Sequence, residues 1–410
     1  MQYRSEYDVI YCTRLHLDDL PSLLATIHDV VDKRGYSTVR LDFTECSFIY
    51  PAAVLALCSV SSKLRSSNID TYLILPKNEK RRKLFLNCNW AHLLDPKNYE
   101  FSKFKGYKQV PATQYKNSKE QDDVVKKIVT TILAGVPDLE RGDFGALEWA
   151  INELTDNVLT HSSSIVGGFV QVSILNTGKV LFAVADSGIG IPETIKYAYP
   201  GKTDFEAIEL AIQEGVTRDK NLGQGNGLFG SYQICSASGG LFEIFSNYGR
   251  LSSSNGELNL KNVSIPYEGT LVVAEIDFLQ PNLLEKALSF KSGLHKPLDY
   301  IEMHYEEWNT ELDVVIFKIK EESDSCGSRV AGTPVRMRLI QVARMCPKAK
   351  VNIDFSGIEI ISSSFADEVI AKLYCEVGPM TFMSRFVFVS TSEVVKNLID
   401  KAIMQRVSSS

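Results

Sequence analysis

Three short patterns between Glu153 and Leu228, a stretch of 76 residues, constrain the fold more than any bulk property of the chain. The first is Glu153-Leu154-Thr155-Asp156-Asn157. Around it Leu147, Ala150, Ile151, Leu154 and Val158 recur at three- and four-residue spacing, which predicts an amphipathic helix with Asp143 as its N-cap. Glu153, Asn157 and His161 then share one face beside the apolar stripe, so a carboxylate and an amide can point together into a pocket edge. An asparagine side-chain oxygen is a hard ligand suited to Mg²⁺. The second pattern, Asp186-Ser187-Gly188-Ile189-Gly190-Ile191, follows the apolar run Val180 to Val184, which reads as a buried strand. An Asp at the end of such a strand can accept a hydrogen bond from an exocyclic amine, and glycines let the backbone approach a flat base. The third, Gly223-Gln224-Gly225-Asn226-Gly227-Leu228, opens a helix running to Ser238 and ended by Gly239-Gly240. Unpaired N–H groups at such a helix start favour an anion. It is neither a P-loop nor a Rossmann fingerprint. Each pattern alone has a plain structural alternative: a chance helical ExxxN, ordinary turn chemistry, a flexible loop.

The flanks are organised differently. Strand candidates at Thr38–Phe43 and Thr71–Leu75 enclose a helix pattern from Ala52 to Leu64. The C-terminal third repeats the theme. Val39-Arg40-Leu41-Asp42-Phe43-Thr44 parallels Val351-Asn352-Ile353-Asp354-Phe355-Ser356. A helix pattern from Phe365 to Cys375 and a strand at Phe386–Val389 follow, so both blocks read as βαβ units. The polar stretch from Tyr107 to Asp123 reads as a linker. The expected boundaries are a first block at 1–110, a central block at 120–280, a connecting segment at 281–311 and a last block at 312–410.

Net charge is −6, which argues against a nonspecific nucleic-acid binder, since that needs a surplus of Lys and Arg. Eight scattered cysteines form no CxxC pair and read as reduced core thiols of a cytosolic protein; a zinc site is not indicated. The N-terminus has no signal-peptide pattern, and no apolar run is long enough for a transmembrane helix. A cytoplasmic location without membrane attachment is expected.

In their order, and with Gly269-Thr270 leading into the strand Leu271 to Ile276, the central motifs resemble the GHKL ATPase superfamily of gyrase, heat-shock chaperone, histidine kinase and MutL type. The resemblance implies an α/β sandwich that binds ATP with Mg²⁺. It assigns Asn157 to Mg²⁺ and Glu153 to general-base catalysis. Asp186 would hold the adenine amine, with Gly188 and Gly190 shaping the base pocket. Gly223, Gly225 and Gly227 would belong to a phosphate lid spanning Gly215 to Asn226, where Arg218 and Lys220 can reach phosphate. Thr270 would support the adenine end.

The flanking blocks resemble STAS domains, the last one most like the STAS-like domain often joined to GHKL ATPases. In that pattern Ser363 stands where a phosphorylated serine would be, although Ser362 replaces the family's Asp. The first block has Pro51 there and can take no phosphate. Ser362 to Ser364 also read as a plain serine-rich N-cap. Three functions follow: an ATP-driven switch read by a protein partner through the STAS-like domains, a serine kinase acting on a STAS-like domain, or a nucleotide-binding scaffold without turnover. The absence of His from residues 107 to 142 disfavours a histidine kinase. A homo-oligomer stays open.

Overall fold

The computed structural model describes residues 3–104, 106–175, 177–217, 225–254, 256–278, 287–290, 293–294, 299–307 and 313–409. Among the described residues helices make up 48% and strands 25%, in several sheets, as an α/β chain requires. Two compact units form, residues 1–128 with 146–295, and residues 129–145 with 296–410.

The first unit begins with β1 (Arg4–Glu6), β2 (Val9–Tyr11), α1 (Leu20–His28), β3 (Thr38–Asp42), α2 (Pro51–Ser66) and β4 (Asp70–Ile74). Their sheet has the order β1-β2-β3-β4, with β2, β3 and β4 parallel. A second sheet takes β5 (Gln109–Tyr115), β6 (Gly168–Ile174), β7 (Val180–Asp186), β8 (Leu241–Ser254) and β9 (Glu257–Ile276) in the antiparallel order β8-β9-β7-β6-β5. Between these strands run α3 (Ser118–Gly135), α4 (Arg141–His161), α5 (Gly190–Ala198), α6 (Asp204–Ala211) and α7 (Gly227–Ala237).

Two local expectations are corrected. The stretch read as a linker holds the edge strand β5 and the start of α3. Val110, Ala112 and Tyr115 of β5 are fully buried, but Pro111 and two glutamines interrupt the apolar alternation by which a strand is recognised. Asp143 is not an N-cap: α4 starts at Arg141, and Asp143 lies within its first turn, where a carboxylate favours the helix dipole.

Residues Ala52 to Ser59 of α2 are all buried. A helix that is apolar on every side needs cover on every side. Here β4 lies against it, and so do β6 and β7 of the second sheet. Leu181, Ala183 and Ala185 of β7, with Leu271 and Val273 of β9, join Leu41, Phe43, Val54 and Leu57 in one hydrophobic core. The two sheets therefore share an interior, and emptying one of its aromatic positions, such as Phe169, should cost about 3–5 kcal/mol. Alternation along β7 and β9 sends Phe182, Val184, Asp186, Thr270 and Val272 to the opposite face of the sheet.

The second unit holds a parallel sheet of β10 (Val314–Lys318), β11 (Lys350–Asp354) and β12 (Phe386–Val389), in that order. Its helices include α8 (Arg329–Met345), α9 (residues 363–377) and α10 (Glu393–Ser409). The internal repeat extends to hydrogen bonds. Asp42 and Asp354 each accept the backbone N–H two residues on at 2.8 Å. Phe43 and Phe355 each donate N–H at 3.0 Å to the carbonyl that ends the neighbouring strand, Ile74 or Val389.

All eight cysteines are free thiols, and six are buried. Cys326 is half-buried, and Cys375 is exposed despite its apolar neighbour Tyr374. Among the described residues no helix is long and apolar enough to cross a membrane.

Candidate functional site

On α4, Trp149, Glu153, Asn157 and His161 follow one another at four-residue spacing and form one wall of a cavity. The sheet contributes Val184, Asp186, Thr270 and Val272, the alternate residues that face away from the shared core. Gly190, Ile191 and Thr194 of α5 close one end, and Thr217, Gly225, Asn226 and Gly227 close another. The enclosed volume is about 380 Å³.

At the cavity's inner end Asp186 terminates β7 and is 2% exposed. Burial pushes its carboxyl from the ordinary 3.8 up to about 7, while the backbone N–H groups of Gly188 and Thr270 and the charge of Lys63 pull it back. The Gly188 bond is 2.7 Å long, and Thr270 stands opposite Asp186 in the β9–β7 register. Gly190 has φ +82°, and a Cβ there would lie 2.9 Å from the Gly269 carbonyl oxygen, so the turn demands glycine.

Toward the other end Glu153 is half-buried, which raises its carboxyl above the usual range, with a further push from Asp156. An ideal Cβ on Gly227 would lie 2.2 Å from Glu153 Oε2. The last glycine of the third motif thus lets the start of α7 close against that carboxylate. The eleven-residue α7 begins beside the cavity, and the N–H groups of its first turn favour an anion.

Sequence comparison agrees with this geometry. The family of histidine kinase-, DNA gyrase B- and HSP90-like ATPases matches residues 142–279. Residues 142–279 are a GHKL-type ATPase domain. A second family, the STAS-like domain of unknown function, matches residues 331–396. Among solved structures, the histidine kinase domain of the Erythrobacter litoralis EL346 blue-light activated histidine kinase is similar over 40% of this chain and 67% of its own, at 17% identity and a TM-score of 0.19. No curated protein matches the chain significantly.

Of the residues singled out from the sequence, Glu153, Asn157, Asp186, Gly190, Gly225, Gly227 and Thr270 line the cavity of the ATPase domain. Gly188 stands behind it, holding the Asp186 carboxyl. The base of the expected lid is tied by the Gly215 N–H, which donates to Asn226 Oδ1 at 3.1 Å. Gly223, Arg218 and Lys220 lie outside the described residues. Sequence reasoning missed Trp149, Ser246 and Asn247. Ser246 Oγ donates to the Gly269 carbonyl at 2.7 Å and accepts the Ile191 N–H at 2.9 Å. Asn247 Nδ2 donates to the Ile189 carbonyl at 3.1 Å. No motif marks these two. Their part emerges only from the register that sets Ser246 opposite Thr270.

The donor set of the ATPase domain suits Mg²⁺ shared with phosphate. Among the described residues no group of three or more His, Cys, Asp or Glu could hold a metal on its own. An amide oxygen at Asn157, within a cavity whose remaining ligands would come from phosphates and water, matches the usual Mg²⁺ habit.

In the second unit, Ser363 is exposed at the first position of α9, so the helix begins two residues before the expected Phe365. Ser362 is the N-cap, its Oγ accepting the Phe365 N–H at 3.0 Å. The acidic pair that follows is already neutralised. Asp367 is bound by Arg406 at 2.5 Å and by Arg329 at 2.7 Å, and Glu368 by Arg336 at 3.3 Å and Lys372 at 2.5 Å.

Proposed function

We propose that the protein binds ATP with Mg²⁺ in this cavity, hydrolyses it slowly, and acts as a conformational switch read by a protein partner through its STAS-like domains. One observation carries the reading: residues from four separated sequence segments, Glu153 and Asn157, Asp186, Gly225 to Gly227, and Thr270, open into the same cavity. In this reading Asp186 accepts the adenine amine. The α7 N-terminus faces the phosphates, and Asn157 holds Mg²⁺, which neutralises charge on the phosphate oxygens. Glu153 takes the proton of the attacking water, a task favoured by a carboxyl whose pKa is already raised. The presence of this base counts against a scaffold without turnover.

A second reading is favoured by the exposure of Ser363. Here the attacking hydroxyl belongs to a serine of a STAS-like domain, in the same or another molecule. A phosphate on Ser363 would sit at a helix start, and the arginines and lysine around Asp367 and Glu368 offset the repulsion expected from those carboxylates. Incubation with γ-labelled ATP, with free phosphate and labelled protein measured separately, tests both. Free phosphate alone supports the switch, and labelled protein supports the kinase. A wild-type protein whose melting temperature responds to no adenine nucleotide would overturn both.

A further inference from the structure

The inner end of the cavity has a second side. Behind Asp186 the protein contains a buried cluster of hydroxyls, two of them, Ser59 and Tyr267, from outside the motifs. Ser187 Oγ lies 2.7 Å from Ser59 Oγ, and the Tyr267 hydroxyl donates to the Asp186 backbone carbonyl at 3.0 Å. Tyr267 is also within hydrogen-bonding reach of both serines. Ser59, Ser187 and Tyr267 are each at most 4% exposed.

Ser59 belongs to α2, the helix clasped between the two sheets, and so to the N-terminal block rather than to the ATPase domain. One turn further along α2, on the same face, Lys63 Nζ donates to Glu268 Oε2 at 2.8 Å, and its charge acts on Asp186. Within the buried run Ala52 to Ser59, Ser59 is the one hydroxyl. A helix buried on every side would be served by alanine at position 59 as well as by serine, and a lone hydroxyl without its partner would cost stability.

We propose that Ser59 is a positioning residue for the nucleotide pocket, and that through the Ser59–Lys63 face of α2 the N-terminal block sets how strongly the pocket favours adenine. Ser59 fixes Ser187, the residue that joins the base-binding Asp186 to the Gly188 turn. The Gly188 N–H then holds the Asp186 carboxyl in place at 2.7 Å. Anything that shifts α2, including a partner bound to the N-terminal block, is felt at the carboxylate that reads the base amine. This rests on the reading of Asp186 as the adenine acceptor.

The test compares ATP with inosine triphosphate, which carries the same phosphates but a carbonyl where adenine has its amine. Calorimetric titration of the full chain with each nucleotide in Mg²⁺ gives an affinity ratio that reports the amine edge of the base, where Asp186 is placed. Wild-type protein should favour ATP. Ser59→Ala should lower ATP affinity about two- to tenfold, the worth of one buried hydrogen bond, with inosine triphosphate affinity unchanged. Lys63→Gln alters a partly exposed side chain without touching the core, and it should lower the same ratio about two- to threefold. Equal losses for both nucleotides, or no loss in either variant, would overturn the proposal and leave the ATP-binding reading standing. A wild type that binds ATP no better than inosine triphosphate would remove the Asp186 reading and this proposal with it.

Discussion

Asp186→Asn should make the nucleotide-free protein more stable at pH 8 while destroying its response to ATP. The reasoning starts from burial. The folded carboxyl titrates near 7, whereas the unfolded chain titrates near 3.8, so the folded state holds the proton more tightly. Stability tied to this group is fully present below the unfolded value and is lost as pH rises through 7. At 1.36 kcal/mol per pKa unit, burying this group costs about 4 kcal/mol at pH 8, where it is largely ionised, and about 2 kcal/mol at pH 5, where folding must protonate it. Asparagine cannot ionise, so it escapes the whole penalty. Its oxygen can still accept the Gly188 N–H, but its NH₂ group stands where an acceptor stood, and an unsatisfied buried donor costs about 1–3 kcal/mol. The net expectation is a gain of about 1–3 kcal/mol at pH 8, shrinking to nothing or reversing at pH 5. Urea unfolding at both pH values measures it. The same samples with ATP and Mg²⁺ give the second half: at a hundredfold excess over Kd the wild type gains about 2.7 kcal/mol and the variant none. A variant less stable than wild type at pH 8 without nucleotide would refute the account of the buried charge. One that gains as much from ATP as the wild type would refute the role of Asp186.

Glu153→Ala should keep nucleotide binding and lose turnover by about 10²–10⁴, as measured by phosphate release; turnover at the wild-type rate would remove Glu153 from the mechanism. Asn157→Ala should bind nucleotide equally well with and without Mg²⁺ by calorimetry, and a persisting Mg²⁺ dependence would place the metal elsewhere. Gly227→Ala puts a methyl group within 2.2 Å of Glu153 Oε2 and should impair ATP turnover more than it lowers the melting temperature; full activity would show that the carboxylate moves freely. If the kinase reading holds, incubation with ATP should add one phosphate at Ser363, blocked in Ser363→Ala; an unmodified peptide spanning residues 351–372 beside measurable phosphate release would leave the switch.

What could be read without coordinates follows from local physics. The helix carrying Glu153 and Asn157 announces itself by its 3.6-residue period, and β7 by a continuous apolar run. The order of the motifs with their glycines identified the ATPase domain, because a turn at φ +82° at Gly190 and a close approach at Gly227 admit almost nothing else. The repeated Asp-Phe turn was legible because its hydrogen bonds close within a few residues. Long-range facts were not. β5 passed for a linker because an edge strand broken by a proline loses the alternation that marks it. Ser246, Asn247 and Tyr267 gain their roles from partners on other strands, through register. The buried state of Asp186, and so its pKa, depends on neighbours more than a hundred positions away, including Lys63. The helix pattern from Ala52 to Leu64 was legible, but not what covers its buried start. By itself the sequence determined the ATPase-domain motifs and several residues that line the cavity, since those are set by turns, caps and periodicity within each motif. Only the tertiary structure decided that the N-terminal block shares a core with the sheet that lines the cavity and touches the back of Asp186, because burial and long-range pairing depend on the whole chain being folded.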